Sequence, residues 1–285
     1  VAGAAVAAIT QHVGIRAGSV VLPLHHPARV AEEWSVVDNI SQGRVGISFA
    51  SGWQPNDFVL KPENFKDNKN VMLRNLEVVR QLWRGEAVTF ENPLGEKVEI
   101  RTLPRPVQKE LPYWVTSAGN PQTFIDAGRI GANVLTHLLG QTVEELGDKI
   151  AAYRKAYKEA GHAGPGYVSL MLHSFVAPDM GFVRKTVKQP LIDYLKTSLN
   201  LVKQYAWTFP AFKKREGMDT GQGSVDLQSL APEEMDALME YSFERYFEGS
   251  GLFGTPESCG AMIERIKAVG VDDVACLIDF GIDGD

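Results

Sequence analysis

Apolar runs of strand length alternate with amphipathic stretches of helical length along nearly the whole chain. No other feature limits the fold as much. The strand runs are Ile15 to Leu24, Val45 to Ala50, Tyr113 to Val115, Asn133 to Leu139, Val168 to Ala177 and Asp273 to Phe280. The helical stretches are 1–12, 27–39, 66–83, 121–128, 143–160, 183–205, 232–247 and 256–269. Such alternation predicts a parallel sheet, because parallel neighbours need a long crossover and a helix usually supplies it. The runs are apolar almost throughout, as expected of strands covered on both faces.

Two architectures suit this pattern. A closed (β/α)8 barrel needs eight strands. The chain shows about six, opens with a helix and ends just after a strand. It is therefore expected to be a barrel lacking its first two strands and last helix, as a piece of a longer protein would. An open doubly wound sheet would carry a glycine-rich phosphate loop after its first strand, where this chain has Leu24-His25-His26-Pro27. The expected fold is thus an α/β TIM barrel forming one domain over 1–285. It carries a small hairpin insertion near 87–101, turned at Asn92-Pro93-Leu94-Gly95, and an excursion near 206–230 rich in Gly, Thr, Ser and Lys.

Composition narrows the function classes. With 285 residues, 44% of them hydrophobic, the chain can bury a large core. A net charge of -6 offers no basic stripe for nucleic acid. No apolar run approaches the roughly 20 residues that span a bilayer, so no membrane partner is expected. The apolar start, Val1 to Ile9, lacks a basic flank and runs into Gln11-His12-Val13-Gly14 rather than a cleavage site. Cys259 and Cys276 fall in a helical and a strand stretch. Two thiols in so long a chain point to a reducing cytoplasm, without a disulfide framework or a metal site.

The most informative junction for chemistry lies between the run at Tyr113 and the helix at Pro121. Proline suits the first helical position, and Asn120 suits the N-cap before it. Thr116, Ser117, Ala118 and Gly119 are small or hydroxylated, and they leave the helix N-terminus open to an anion such as a phosphate. In a barrel the strand C-terminal ends form the site. Here those ends are His25-His26, Ala50-Ser51-Gly52-Trp53, Thr116-Ser117, Thr136-His137, His173-Ser174 and Asp279. They hold no paired carboxylates, no His/Cys cluster at ligand spacing and no nucleophile elbow. Hydroxyls, imidazoles and an indole around a phosphate seat suit a cofactor that brings its own reactivity. Gly52 would admit a ligand to the backbone, while Trp53 either lies against a flat ring or plugs the core beneath its loop. His137 is a better ligand candidate than His25 or His26. His173 is expected in the core, and His12 and His162 at the surface or as caps. The charged residues of 143–160 read as a solvated helix face.

Several stretches together resemble the bacterial luciferase-like flavin monooxygenases. They are Val20 to Pro27, Val37-Asp38-Asn39-Ile40-Ser41-Gln42-Gly43-Arg44-Val45, and Ser51-Gly52-Trp53 with Asp57-Phe58. The Leu252 to Glu257 turn and the Ala275 to Gly281 strand are similar to the mupirocin-type subgroup of polyketide and nonribosomal peptide assembly lines. The resemblance implies a luciferase-like (β/α)8 barrel that binds reduced FMN at the strand C-terminal ends. It implies that Thr116, Ser117, Ala118, Gly119 and Asn120, with Ser51, hold the flavin phosphate. Luciferase has an arginine where this chain has Ser51, so a hydrogen bond is kept there and a charge is lost. The resemblance also implies a non-prolyl cis peptide at Gly18-Ser19 near the flavin ring, with Thr136 and His137 lining the ring pocket and 206–230 forming a lid. The family's catalytic histidine would precede Val1, so no catalytic residue is assigned.

These readings lead to a flavin-dependent monooxygenase that uses reduced FMN, supplied by a separate flavin reductase, and O2 to hydroxylate an organic substrate. The subgroup implies an acyl intermediate on an acyl or peptidyl carrier protein, and a homodimer is a candidate assembly. A deazaflavin (F420)-dependent dehydrogenase on the same barrel and a non-catalytic flavin-binding module remain the alternatives.

Overall fold

The structure, a computed structural model, describes residues 1–197 and 231–282. The lid expected at 206–230 lies outside the described residues. The chain groups into two compact units, 1–117 with 130–135, and 118–129 with 136–285.

The first unit runs through α1 (Ala2–Ile9), β1 (Ile15–Val21), α2 (Pro27–Ser41), β2 (Val45–Ala50), α3 (Asn68–Arg84), the hairpin β3 (Val88–Glu91) and β4 (Lys97–Ile100), and β5 (Tyr113–Ser117). β1 pairs parallel with β2, Ile15 opposite Val45, and β2 pairs parallel with β5, Ile47 opposite Tyr113. The first five residues of β2 are all buried, as a strand covered on both faces requires. Leu76, Val79, Leu82 and Trp83 of α3 are buried with Ile47 and Phe49 of β2. Buried Asp38 is satisfied by the backbone N–H and the Nε2 group of Gln108, at 2.9 and 2.8 Å. Arg44 donates to the carbonyls of Ala7, Thr10 and Val13 and so ties the end of α1 to the start of β2. β3 and β4 form the expected antiparallel hairpin, with Asn92 Oδ1 accepting from the N–H groups of Leu94 and Glu96 in its turn.

The second unit contains α4 (Pro121–Arg129), most of the handover after β6 (Asn133–His137), α5 (Val143–Glu159), β7 (Val168–Val176), α6 (Met180–Thr197), α7 (Pro232–Gly249), β8 (Leu252–Gly254), α8 (Pro256–Ala268) and β9 (Asp273–Leu277). β7 is parallel to β9 and to β8: Ser169 to His173 run beside β9, and Ser174 to Val176 beside β8. α6 and α7 bury Val187, Leu191, Leu238 and Phe243 in a shared apolar cluster. Lys188 Nζ donates to Glu240 Oε1 at its rim, 2.6 Å away.

The strand–helix alternation and the α/β class hold, with local corrections. The run read as Ile15 to Leu24 stops at Val21, and Leu22–Leu24 turn as a 3-10 segment because Pro23 has no N–H for a ladder. The runs read to Leu139 and Phe280 end at His137 and Leu277. Leu252–Gly254, read as part of a turn, is a strand. Its three residues, bracketed by glycine, are too few to show a period. Seven strands therefore lie outside the hairpin among the described residues, rather than six.

One close approach governs the second unit. A Cβ on Gly128 of α4 would stand 2.5 Å from the carbonyl O of Tyr153 and 2.9 Å from the N of Tyr157, both backbone atoms of α5. Only glycine lets the two helices come this near. Gly128→Ala is expected to push α4 off α5 and to cost about 1–3 kcal/mol, read as a lowered urea midpoint with unchanged slope.

Candidate functional site

In the first unit the ends of three adjacent strands meet through hydroxyl groups. Thr116 Oγ1 of β5 hydrogen-bonds Ser48 Oγ of β2 at 2.6 Å and also Ser19 Oγ of β1. The strand order β1-β2-β5 brings these residues together, and the register shift between Gly18 and Val20 leaves Ser19 outside the ladder. The Gly18-Ser19 peptide is cis, as the resemblance implied. The Thr116 hydroxyl is thus engaged by both serines. Ser117, the last residue of β5, is only 3% exposed, and among the described residues its Oγ meets no hydrogen-bond partner.

The loop after β2 decides between the two readings of Trp53. Gly52 has φ +80, and a Cβ there would lie 2.8 Å from Val21 Cγ1 and 2.9 Å from Phe58 Cε2. Its smallness serves the turn and the packing of Val21 and Phe58. Trp53 is 62% exposed, so it is no core plug, and Phe58 fills that place at 2%. Ser51 is half-buried beside them. His26 Nδ1 accepts from the N–H of Ala28 at the start of α2, and its ring tilts against Phe90 at 4.9 Å. Capping and packing account for it, and His25 is exposed.

In the second unit Asn120 is the expected cap. Its Oδ1 accepts from the N–H of Gln122 at 2.9 Å, and its carbonyl accepts from the N–H of Thr123 at 3.0 Å. Pro121 has no N–H to satisfy. Among the described residues the backbone N–H groups of Gly119 and Asn120 meet no acceptor. Gly119 has φ +124, and a Cβ on it would lie 3.6 Å from Lys149 Nζ and from Gln141 Oε1. Lys149 thus leans from α5 to the N-terminus of α4. This overturns the reading of 143–160 as a wholly solvated face. Lys149 Nζ donates to Gln141 Oε1 at 2.7 Å, and buried Gln141 donates through Nε2 to the carbonyl of His137 at 2.6 Å and to Thr136 Oγ1 at 3.2 Å. Burial pushes the Lys149 pKa down, against the pull of Glu145. A cation whose hydrogen bond goes to a neutral amide, beside open N–H groups at a positive helix end, matches an anion's needs. The donor set therefore fits a phosphate. Lys149 was missed because spacing along a helix does not reveal which residue bends toward a neighbouring helix, and Gln141 because it lies in the loop before α5.

The two histidines at strand ends are neutral. His137 Nδ1 accepts from the N–H of Leu139 at 3.1 Å, which leaves the proton on Nε2. Burial, with His173 nearby, pushes its pKa down to about 4. His173 is buried in β7 as expected, its ring 4.5 Å from Tyr194 and 5.3 Å from Phe280. Burial pushes it down to about 4, with Asp279 opposing. His162 Nε2 bonds the carbonyl of Arg129 at the end of α4, as a cap. Because His137 and His173 titrate below an exposed histidine, the unfolded chain takes up more protons as pH falls from about 6.5 toward 4. Acidification from about pH 7.5 to about pH 5 is expected to lower stability by on the order of 2 kcal/mol per imidazole. Urea unfolding at the two pH values measures it, and His173→Phe should flatten the dependence.

Among the described residues no group of three or more His, Cys, Asp or Glu side chains could hold a metal ion, and no helix is long and apolar enough to cross a membrane. A profile of the luciferase-like monooxygenase family matches residues 1–273. The oxygenase component of the flavin-dependent trigonelline monooxygenase of Acinetobacter baylyi is 24% identical over 276 residues, which is 96% of this chain and 72% of that protein. The oxygenating constituent of 3,6-diketocamphane monooxygenase from Pseudomonas putida, solved with FMN, superposes with a TM-score of 0.71 at 18% identity, over 97% of this chain and 76% of that one. The coenzyme F420-dependent tetrahydromethanopterin reductase of Methanopyrus kandleri gives 0.70 at 18% identity, over 95% and 79%. These likenesses show the TIM-barrel fold of the luciferase-like type. With the family profile matching nearly its whole length, this chain belongs to the luciferase-like monooxygenase family.

Proposed function

We propose that this chain is the oxygenase component of a two-component monooxygenase that takes reduced FMN from a separate flavin reductase. The observation that carries the reading is Lys149 standing beside the open N-terminus of α4. In this reading the N–H groups of Gly119 and Asn120 and the ammonium of Lys149 hold the flavin phosphate. Ala118 and Ser117 leave room for it, and Lys149 supplies the charge that Ser51 lacks. Gln141, anchored on Thr136 and His137, fixes where that ammonium sits. Gly18, Ser19, Ser51, Gly52, Trp53, Thr116, Thr136 and His137 are the proposed contacts of the remaining flavin. Exposed Trp53 offers a flat apolar face, and neutral His137 offers an Nε2–H donor. Reduced FMN, when bound, supplies the electrons that activate O2 so that one oxygen atom enters an organic substrate. The chain's own residues bind the phosphate, orient the ring and limit water at the strand ends.

For the substrate we infer an acyl intermediate on an acyl or peptidyl carrier protein. That inference is supported by the likeness of the Leu252 to Glu257 and Ala275 to Gly281 stretches to the mupirocin-type subgroup. The F420-dependent reductase likeness favours a second reading, hydride transfer with a deazaflavin on the same seat.

Lys149→Met is expected to weaken FMN binding about tenfold, worth about 1.4 kcal/mol, and to leave riboflavin, which has no phosphate, unaffected. Fluorescence titration of both flavins tests this, and equal losses for the two would remove Lys149 from the phosphate seat. With NADH and a flavin reductase, oxygen uptake coupled to an acylated carrier supports the oxygenase. Binding of F420 with no oxygen uptake supports the dehydrogenase.

A further inference from the structure

The hydroxyl row of the first unit has a direction. Three hydroxyls, Ser48, Thr116 and Ser19, share two hydrogen bonds, so one proton is left over. Ser48 is 2% exposed, and its Oγ meets Thr116 alone among the described residues. Thr116 is half-buried and Ser19 exposed. If Ser19 donated inward, the spare proton would end on buried Ser48 with no acceptor, which is the costly arrangement. If Ser48 and Ser19 both donated to Thr116, the spare proton would be stranded at the row's middle. Only the sequence Ser48 to Thr116 to Ser19 uses both inner protons and leaves the last at the exposed end. A row polarised this way strengthens its terminal donor.

That donor sits at the C-terminal end of β1, the side on which parallel α/β sheets take their ligands. We propose that the Ser48–Thr116–Ser19 row delivers one oriented hydrogen bond from Ser19 Oγ to an acceptor oxygen or nitrogen on the flavin ring. Thr116 and Ser48 are positioning residues, and Ser48 acts on the ring without touching it. The proposal rests on the flavin reading and adds to it a ring contact set by three strands.

The test is a titration of the full chain with oxidised FMN, followed by flavin fluorescence and the visible absorption band. It compares wild type, Ser19→Ala, Ser48→Ala, the double variant, Thr116→Val and Thr116→Ser. Ser19→Ala and Ser48→Ala are each expected to weaken binding about fivefold and to shift the band in the same sense. The double variant should be no weaker than Ser19→Ala alone, since one row is lost once. Thr116→Ser keeps the hydroxyl and should match wild type even if Thr116→Val fails to fold. A Ser48→Ala chain with unchanged binding and band overturns the row, and so do additive losses in the double variant. If wild type binds FMN with the expected dependence on Lys149 while the serine variants behave as wild type, this proposal fails and the phosphate reading stands. A wild-type chain that binds no FMN overturns both.

Discussion

Parallel pairing is the constraint from which the rest of this chain follows. A strand can lie parallel to its predecessor only if the chain crosses back over the sheet, and here the crossovers are helices. Strand C-terminal ends then fall on one side, and each following helix begins there with its N–H groups unsatisfied. Residues distant in the chain become neighbours at that side. In the first unit this brings together Ser19, Ser48 and Thr116. Close packing then sharpens the placement. Gly128 lets α4 approach α5 to a backbone contact, which carries Lys149 to within reach of Gly119.

Charge is handled sparingly near the strand ends of the second unit. Burial holds both imidazoles neutral, so Lys149 is the cation at the head of α4. Its ammonium is kept by an amide, and among the described residues no carboxylate forms a salt bridge with it, although Glu145 pulls on it. That arrangement stabilises an incoming anion more than a salt-bridged lysine would, because no existing pair has to be broken.

Local chemistry was legible in the residues themselves. The alternation of periods revealed the α/β class, and Asn120 with Pro121 revealed the start of α4, which the cap hydrogen bond bears out. The hairpin was legible from its turn residues, and Arg44, within a stretch of the family likeness, proved to fasten α1. These signals depend on atoms within a few residues of one another, and such interactions are written into adjacent positions.

Tertiary structure alone decided the rest. Ser19 lies 97 residues from Thr116, and Ser48 lies 68 from it, so their encounter depends on strand order and register. Trp53 read equally well as a plug or as an exposed face until Phe58 was seen in the core. Lys149 looked like any solvated charge on α5, and its place beside Gly119 follows from how α4 and α5 pack. Sequence by itself determined which segments become strands, helices and caps, because these follow from short-range periodicity and backbone hydrogen bonding. Which side chains meet at the strand ends was left to packing, where register, a single glycine and the burial of each polar group select the neighbours.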